Sequence, residues 1–223
     1  MIKVILANTR KEFVSHICDT IKERACEEIR AKSFFTLVLS GGRTPKVIFE
    51  ELILNYKETI DWNNVHLFWV DERCVNQSHK DSNYKLANDN LISKLGSSIG
   101  SINRIKGELD PKLAASQYEQ DIKLFFQKNE MKFDMILLGM GDDGHVASIF
   151  PNSQELILKH KLILATEKKY NNYYRITMGL DLINISKFKL LMLNGDDNKF
   201  EILESGEVLY PINRINNMYI VKY

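Results

Sequence analysis

Three runs of this sequence are apolar almost from end to end: FFTLVLS (Phe34–Ser40), VHLFWV (Val65–Val70) and FDMILL (Phe133–Leu138). A strand with one face in water alternates apolar with polar residues. A run without that alternation has to be covered on both faces, which is the condition of a strand in a parallel sheet. The intervening segments carry helix signals. TRKE has the form of a capping box, Thr9 as N-cap and Glu12 reaching back, and opens a helix to about Lys32. Pro45 fits the first position of a helix to about Leu54. Further helices are expected over Ser82–Leu95 and from Asp110 (N-cap) and Pro111 (N1) to about Lys128. A short strand at Ile2–Leu6, the runs HKLILAT, YYRITM, FKLLMLN and MYIVKY, and short helical segments near Gly179–Ile185 and Asn198–Glu204 complete the pattern. Alternating strands and helices predict an α/β fold with a mainly parallel sheet and helices on both faces. With no internal repeat, low-complexity tract or Gly/Ser-rich linker, residues 1–223 read as a single domain.

Composition narrows the class of partner. Thirty basic and 29 acidic residues leave a net charge of +1, which argues against the concentrated positive field that nucleic acids or anionic membranes attract. No apolar run reaches the roughly 18–20 residues that cross a bilayer, and the start MIKVILANTRKEF lacks the apolar core of a signal peptide. Cys18, Cys26 and Cys74 show no metal-like pairing and read as reduced thiols of a cytoplasmic protein. No histidine pair has metal-ligand spacing, so neither metal nor cofactor is expected. A monomer or weak homo-oligomer is expected.

In a parallel sheet the carboxyl ends of the strands share one edge, where ligands bind. Here the three buried strands end in SGGRTP, DERC and GMGDDGH. In the first, Gly41 and Gly42 let main-chain amides face outward, Ser40 and Thr44 offer hydroxyls, and a helix directs its positive end into the turn. That suits a phosphate dianion; a tight turn with a good cap is the plainer alternative. Arg43 either adds charge there or points into solvent. In the second, strand alternation sends Asp71 and Arg73 to one side and Glu72 to the other, as a site for orienting a substrate and stabilising negative charge, or as a structural ion pair. In the third, Gly139, Gly141 and Gly144 bring amides to a ligand and place His145 at the start of a short helix, where the positive helix end favours a neutral imidazole. Asp142 or Asp143 could orient that ring or cap the helix. Ser148, three residues on, reads as helix packing rather than as a nucleophile. Arg175 and Lys199 each lie beside a strand of the same sheet, as surface charges or as partners of a bound phosphate.

The motifs LSGGRTP, VDER, NRIKGEL, GMGDDGHVASIFP and RITMGLDLIN, in this order and at about this spacing over Phe34–Glu204, resemble the 6-phosphogluconolactonase family. The resemblance implies a Rossmann-like sheet and hydrolysis of a sugar-phosphate lactone, 6-phospho-D-glucono-1,5-lactone, to 6-phosphogluconate. It implies His145 as general base, Asp71 and Arg73 as active-site acid and arginine, and Ser40, Gly41, Gly42 and Thr44 as the phosphate loop, with Arg175 and Lys199 as its basic partners. Arg43 falls at a variable loop position. Gly141 and Asp143 join the substrate-binding set. The related glucosamine-6-phosphate deaminases share the loop and the DGH turn, but typically carry an aromatic after DE and a GHIAFNEP-like continuation; Arg73 and GHVASIFP stand here instead. A sugar-phosphate-binding regulator without catalysis is the other alternative, and the joint presence of His145, Asp71 and Arg73 argues against it.

Overall fold

The computed structural model describes residues 3–195 and 197–223. In chain order its strands are β1 (Lys3–Leu6), β2 (Phe35–Leu39), β3 (Val65–Trp69), β4 (Asp71–Arg73), β5 (Ser101–Ile102), β6 (Met135–Leu138), β7 (Ile163–Ala165), β8 (Arg175–Met178), β9 (Phe188–Leu193) and β10 (Met218–Lys222). The helices are α1 (Arg10–Lys32), α2 (Arg43–Glu51), α3 (Asn83–Ala87), α4 (Ser93–Leu95), α5 (Pro111–Phe125), α6 (Leu180–Ile185) and α7 (Asp197–Ser205). Ile2, expected at the start of β1, lies outside the described residues.

Seven strands form one sheet in the order β1-β10-β9-β6-β2-β3-β5, with every pairing parallel. Every residue of β2 and β6 is buried, as expected of strands covered on both faces. Each such Leu, Ile or Val contributes about 1.5–3 kcal/mol by leaving water. From β2 the chain moves to one side, through β3; from β6 it moves to the other, through β9. Connections that diverge from adjacent strands leave a crevice at the carboxyl edge. The turns SGGRTP and GMGDDGH follow β2 and β6, so they flank that crevice.

The amino ends of the same two strands are tied together by Asp134. Its carboxylate accepts hydrogen bonds from the Thr36 amide (2.9 Å), the Thr36 hydroxyl (2.9 Å) and Lys32 Nζ (2.7 Å), and Lys187 Nζ lies at 2.9 Å. Burial alone would raise its pKa; the hydrogen bonds from Lys32, Lys187 and Thr36 outweigh that and hold it below the usual carboxylate range.

The helix caps fall where the sequence places them. Thr9 Oγ accepts from the Glu12 amide, and Glu12 Oε2 accepts from the Asn8 amide. Asp110 accepts from the amides of Lys112 and Leu113. Pro45 differs: α2 begins at Arg43 with Gly42 as N-cap, so proline is its third residue, and a turn of π-helix over Leu52–Tyr56 prolongs it.

The larger departure is a second sheet, β4-β8-β7, antiparallel throughout. HKLILAT and YYRITM were expected in the parallel sheet. The segment between them is a hairpin, closed by the Tyr170–Tyr173 bridge with Asn171 and Asn172 at positive φ, and is too short for the crossover of a dozen or more residues that parallel pairing requires. The small sheet adjoins the carboxyl edge of the large one, where the Met178 amide donates to the Val70 carbonyl.

Candidate active site

Two adjoining clefts open at the carboxyl edge. One, of about 310 Å³, is lined by Ser40, Gly41, Asp71, Arg73, His145 and Arg175 among others. The other, of about 730 Å³, includes Gly41, Gly42, Arg43, Thr44 and Lys199. The turns after β2 and β6 together form the wall between them, since Gly41, Gly42, Gly139 and Met140 line both.

Gly42 has φ +107° and caps α2 with no side-chain hydrogen bond, so the first amides of that helix are left open to a ligand. Gly41 is required for a different reason: a Cβ there would stand 1.8 Å from Asn83 Oδ1. Asn83, buried, fills that space and donates from Nδ2 to the Asp71 carbonyl (3.0 Å) and to Asp71 Oδ1 (3.1 Å). It thereby links the turn after β2 to Asp71. Asp71 Oδ2 accepts from Ser148 Oγ at 2.6 Å. Ser148 is therefore a buried support for Asp71, in a turn and not in a helix.

Glu72 points the other way, as strand alternation predicts. It accepts from the amides of Arg73, Asn83 and Tyr84 and from Ser82 Oγ, all within 2.9 Å. Burial nevertheless pushes its pKa up against those bonds. The residue caps α3 and so fixes Asn83, the first residue of that helix.

His145 does not begin a helix. Residues 141–149 form successive turns, with Gly144 at φ +76° and Ala147 at +52°, so the helix-end argument for a neutral ring does not apply. Its ring is instead set by contacts. Nδ1 lies 2.6 Å from Asp143 Oδ1, the ring covers Gly141 so closely that a Cβ there would sit 2.1 Å from Cε1, and Phe150 packs at 4.5 Å. Phe150 in turn stacks on Tyr170 (3.7 Å, 8°) of the β7–β8 hairpin. With Asp143 ionised, the ring proton of a neutral imidazole sits on Nδ1, and Nε2 keeps its lone pair.

The basic residues divide. Lys199 Nζ is 3.0 Å from Asp142 Oδ1 and holds that exposed carboxyl below its usual range; it lines the cleft with Arg43 and Thr44. Arg43 itself is exposed. Arg175 lies in the small sheet, lines the cleft of His145 and is opposite Arg73 in the β4–β8 register. The sequence reading that put Arg175 and Lys199 beside one sheet is corrected here, since among the described residues β8 pairs with β4 and β7 and with no strand of the large sheet. Asn83, Phe150, Tyr170 and the capping role of Glu72 escaped sequence reading. Ser82 as an expected helix start was the one available hint to Glu72.

Among the described residues no group of three His, Cys, Asp or Glu side chains is placed to hold a metal ion, and no helix is long and apolar enough to cross a membrane. The three cysteines are unpaired.

Comparison with known proteins places these features in context. Residues 8–217 match the family described as glucosamine-6-phosphate isomerases/6-phosphogluconolactonase. A protein of Arabidopsis thaliana named probable 6-phosphogluconolactonase 4 is 36% identical over 203 residues, covering 85% of this chain and 78% of its own. The 6-phosphogluconolactonase of a Nostoc strain is 31% identical over 190 residues, covering 83% and 77%. The crystal structure of 6-phosphogluconolactonase from Thermotoga maritima superposes with a TM-score of 0.86 at 27% identity, covering 100% of both chains.

Proposed function

The chain belongs to the glucosamine-6-phosphate isomerase/6-phosphogluconolactonase family, and from that premise we propose that it hydrolyses 6-phospho-D-glucono-1,5-lactone to 6-phospho-D-gluconate. The observation that carries the reading is the shared wall of the two clefts. It sets the glycine turn at the start of α2 beside an oriented imidazole, an acid and an arginine.

The chemistry follows from those groups. The phosphate binds the amides at the start of α2 with Lys199, and its binding energy fixes the lactone ring in the neighbouring cleft. Nε2 of His145 takes a proton from water as the water oxygen bonds to C1, and the carbonyl electron pair moves onto oxygen. Arg73 stabilises that oxyanion. The tetrahedral species collapses, the bond from C1 to the ring oxygen breaks, and the proton held by His145 passes to the departing oxygen. Asp143 holds Nδ1 so that Nε2 is the nitrogen that takes up the proton and returns it. Asp71, held by Ser148 and Asn83, faces the same space and orients the attacking water. The water is activated by the imidazole alone, without a metal.

Proton release from fresh lactone, corrected for spontaneous hydrolysis, tests this. Rapid release that survives exhaustive chelation is expected, with no ammonia formed from glucosamine 6-phosphate. Ammonia release, or activity lost on chelation and restored by a metal ion, would overturn the reading.

A further inference from the structure

The two arginines of the His145 cleft are placed as no purely structural pair needs to be. Antiparallel pairing of β4 with β8 sets Arg73 directly opposite Arg175, an arrangement in which like charges repel. Arg175 is 6% exposed. Each guanidinium is steered by one main-chain oxygen: Arg73 Nη1 donates to the Asp81 carbonyl at 2.5 Å, and Arg175 Nη2 to the Tyr170 carbonyl at 3.0 Å. A carbonyl fixes direction but does not neutralise a charge. The Nε of each arginine is buried with no partner among the described residues. The ion-paired arginines among those residues are Arg24 and Arg104; Arg73 and Arg175 are not among them. Asp71 is near enough to Arg175 to temper its charge, yet its carboxylate hydrogen-bonds to Ser148 and Asn83 and pairs with neither arginine.

We propose that Arg175 acts with Arg73 on the carboxyl end of the substrate, as a second donor to the carbonyl oxygen and then to the product carboxylate, and not on the phosphate. The inference rests on the lactonase reading and assigns a position within it. As water adds to C1, the carbonyl π pair becomes the oxyanion electron pair. When the bond from C1 to the ring oxygen breaks, that oxygen leaves with the proton from His145, and the new carboxyl group loses its own proton to solvent. Negative charge is thus present at C1 in the intermediate and again in the product, and two planar forks suit both. Burial and the neighbouring Arg73 disfavour the charge on Arg175, and an anion between the two would offset that. The phosphate lies beyond the wall, in the cleft that Lys199 lines and Arg175 does not.

Calorimetric titration separates the possibilities. The ligands are 6-phosphogluconate and D-glucitol 6-phosphate, which carries an alcohol where the former carries the carboxylate. Arg175→Gln is expected to weaken 6-phosphogluconate by about tenfold or more while changing D-glucitol 6-phosphate by less than about twofold, and to lower kcat. Lys199→Met is expected to weaken both. Should Arg175→Gln not fold, Arg175→Lys, which keeps the charge and loses the fork, gives the same comparison. Equal weakening of both ligands would return Arg175 to the phosphate, and no weakening of either would make it structural; each overturns the inference. Failure of the unsubstituted protein to bind either ligand would instead overturn the lactonase reading, and this assignment with it.

Discussion

Replacement of His145 with alanine is expected to lower kcat for the phosphorylated lactone by about 10²- to 10⁴-fold while 6-phosphogluconate still binds with near-normal affinity. The magnitude is that of losing a positioned general base. Its selectivity for kcat follows from position: the imidazole touches the phosphate cradle only through the shared wall, so ground-state binding persists when the ring is removed. The side chain is partly exposed, and its loss leaves the Phe150–Tyr170 stack in place, so the variant should fold. Steady-state kinetics beside a binding titration read both quantities. Unchanged turnover would remove His145 from the reaction.

The second large effect concerns stability. Asp134→Ala strips the acceptor from Thr36 and takes from Lys32 and Lys187 the buried carboxylate they share at the amino ends of β2 and β6, leaving them only Glu28, 3.8 Å from Lys32 and 2.7 Å from Lys187. Breaking a buried pair in this way costs about 3–5 kcal/mol. The lower end applies because both lysines keep solvent contact, and the fall in Tm is then roughly 6–12 °C. Asp134→Asn retains one acceptor for Thr36 and should cost less. The pH dependence has a definite sign. The folded-state pKa of Asp134 is depressed, so its contribution is complete above the unfolded carboxylate value and is lost as pH falls through the folded one. The gap in Tm between the unsubstituted protein and Asp134→Ala should narrow in acid. A gap that is small at neutral pH, or that widens in acid, would contradict this account.

Some of this architecture was open to reading and some was not, for physical reasons. β2, β3 and β6 were legible because a strand covered on both faces has no polar residue to spare, and their turns were legible because glycine and charge cluster there. Separation of Asp71 and Arg73 from Glu72 followed from strand alternation. The small antiparallel sheet was not legible, because three- and four-residue strands carry no burial pattern and only the hairpin length decides their partners. The setting of His145 was half legible: Asp142 or Asp143 was expected either to orient the ring or to cap a helix, yet a glycine-rich segment specifies neither helix nor turn until its neighbours pack. Gly144, for example, is held against Tyr210. The links from Asn83 to Gly41 and from Phe150 to Tyr170 join distant segments through side-chain shape, which no local pattern encodes. The separation of Arg175 from Lys199 belongs to the same class.

Underlying all of these expectations is the idea that an amide cradle and an imidazole on either side of one glycine wall serve the same molecule. The most direct test is kcat/KM measured by proton release for 6-phosphogluconolactone and for D-glucono-1,5-lactone, which differ only in the phosphate. A preference of about 10²-fold or more for the phosphorylated lactone is predicted, from two or more charge-assisted contacts made at the cradle. Equal values for the two lactones would mean that the cradle and the imidazole do not act on one substrate.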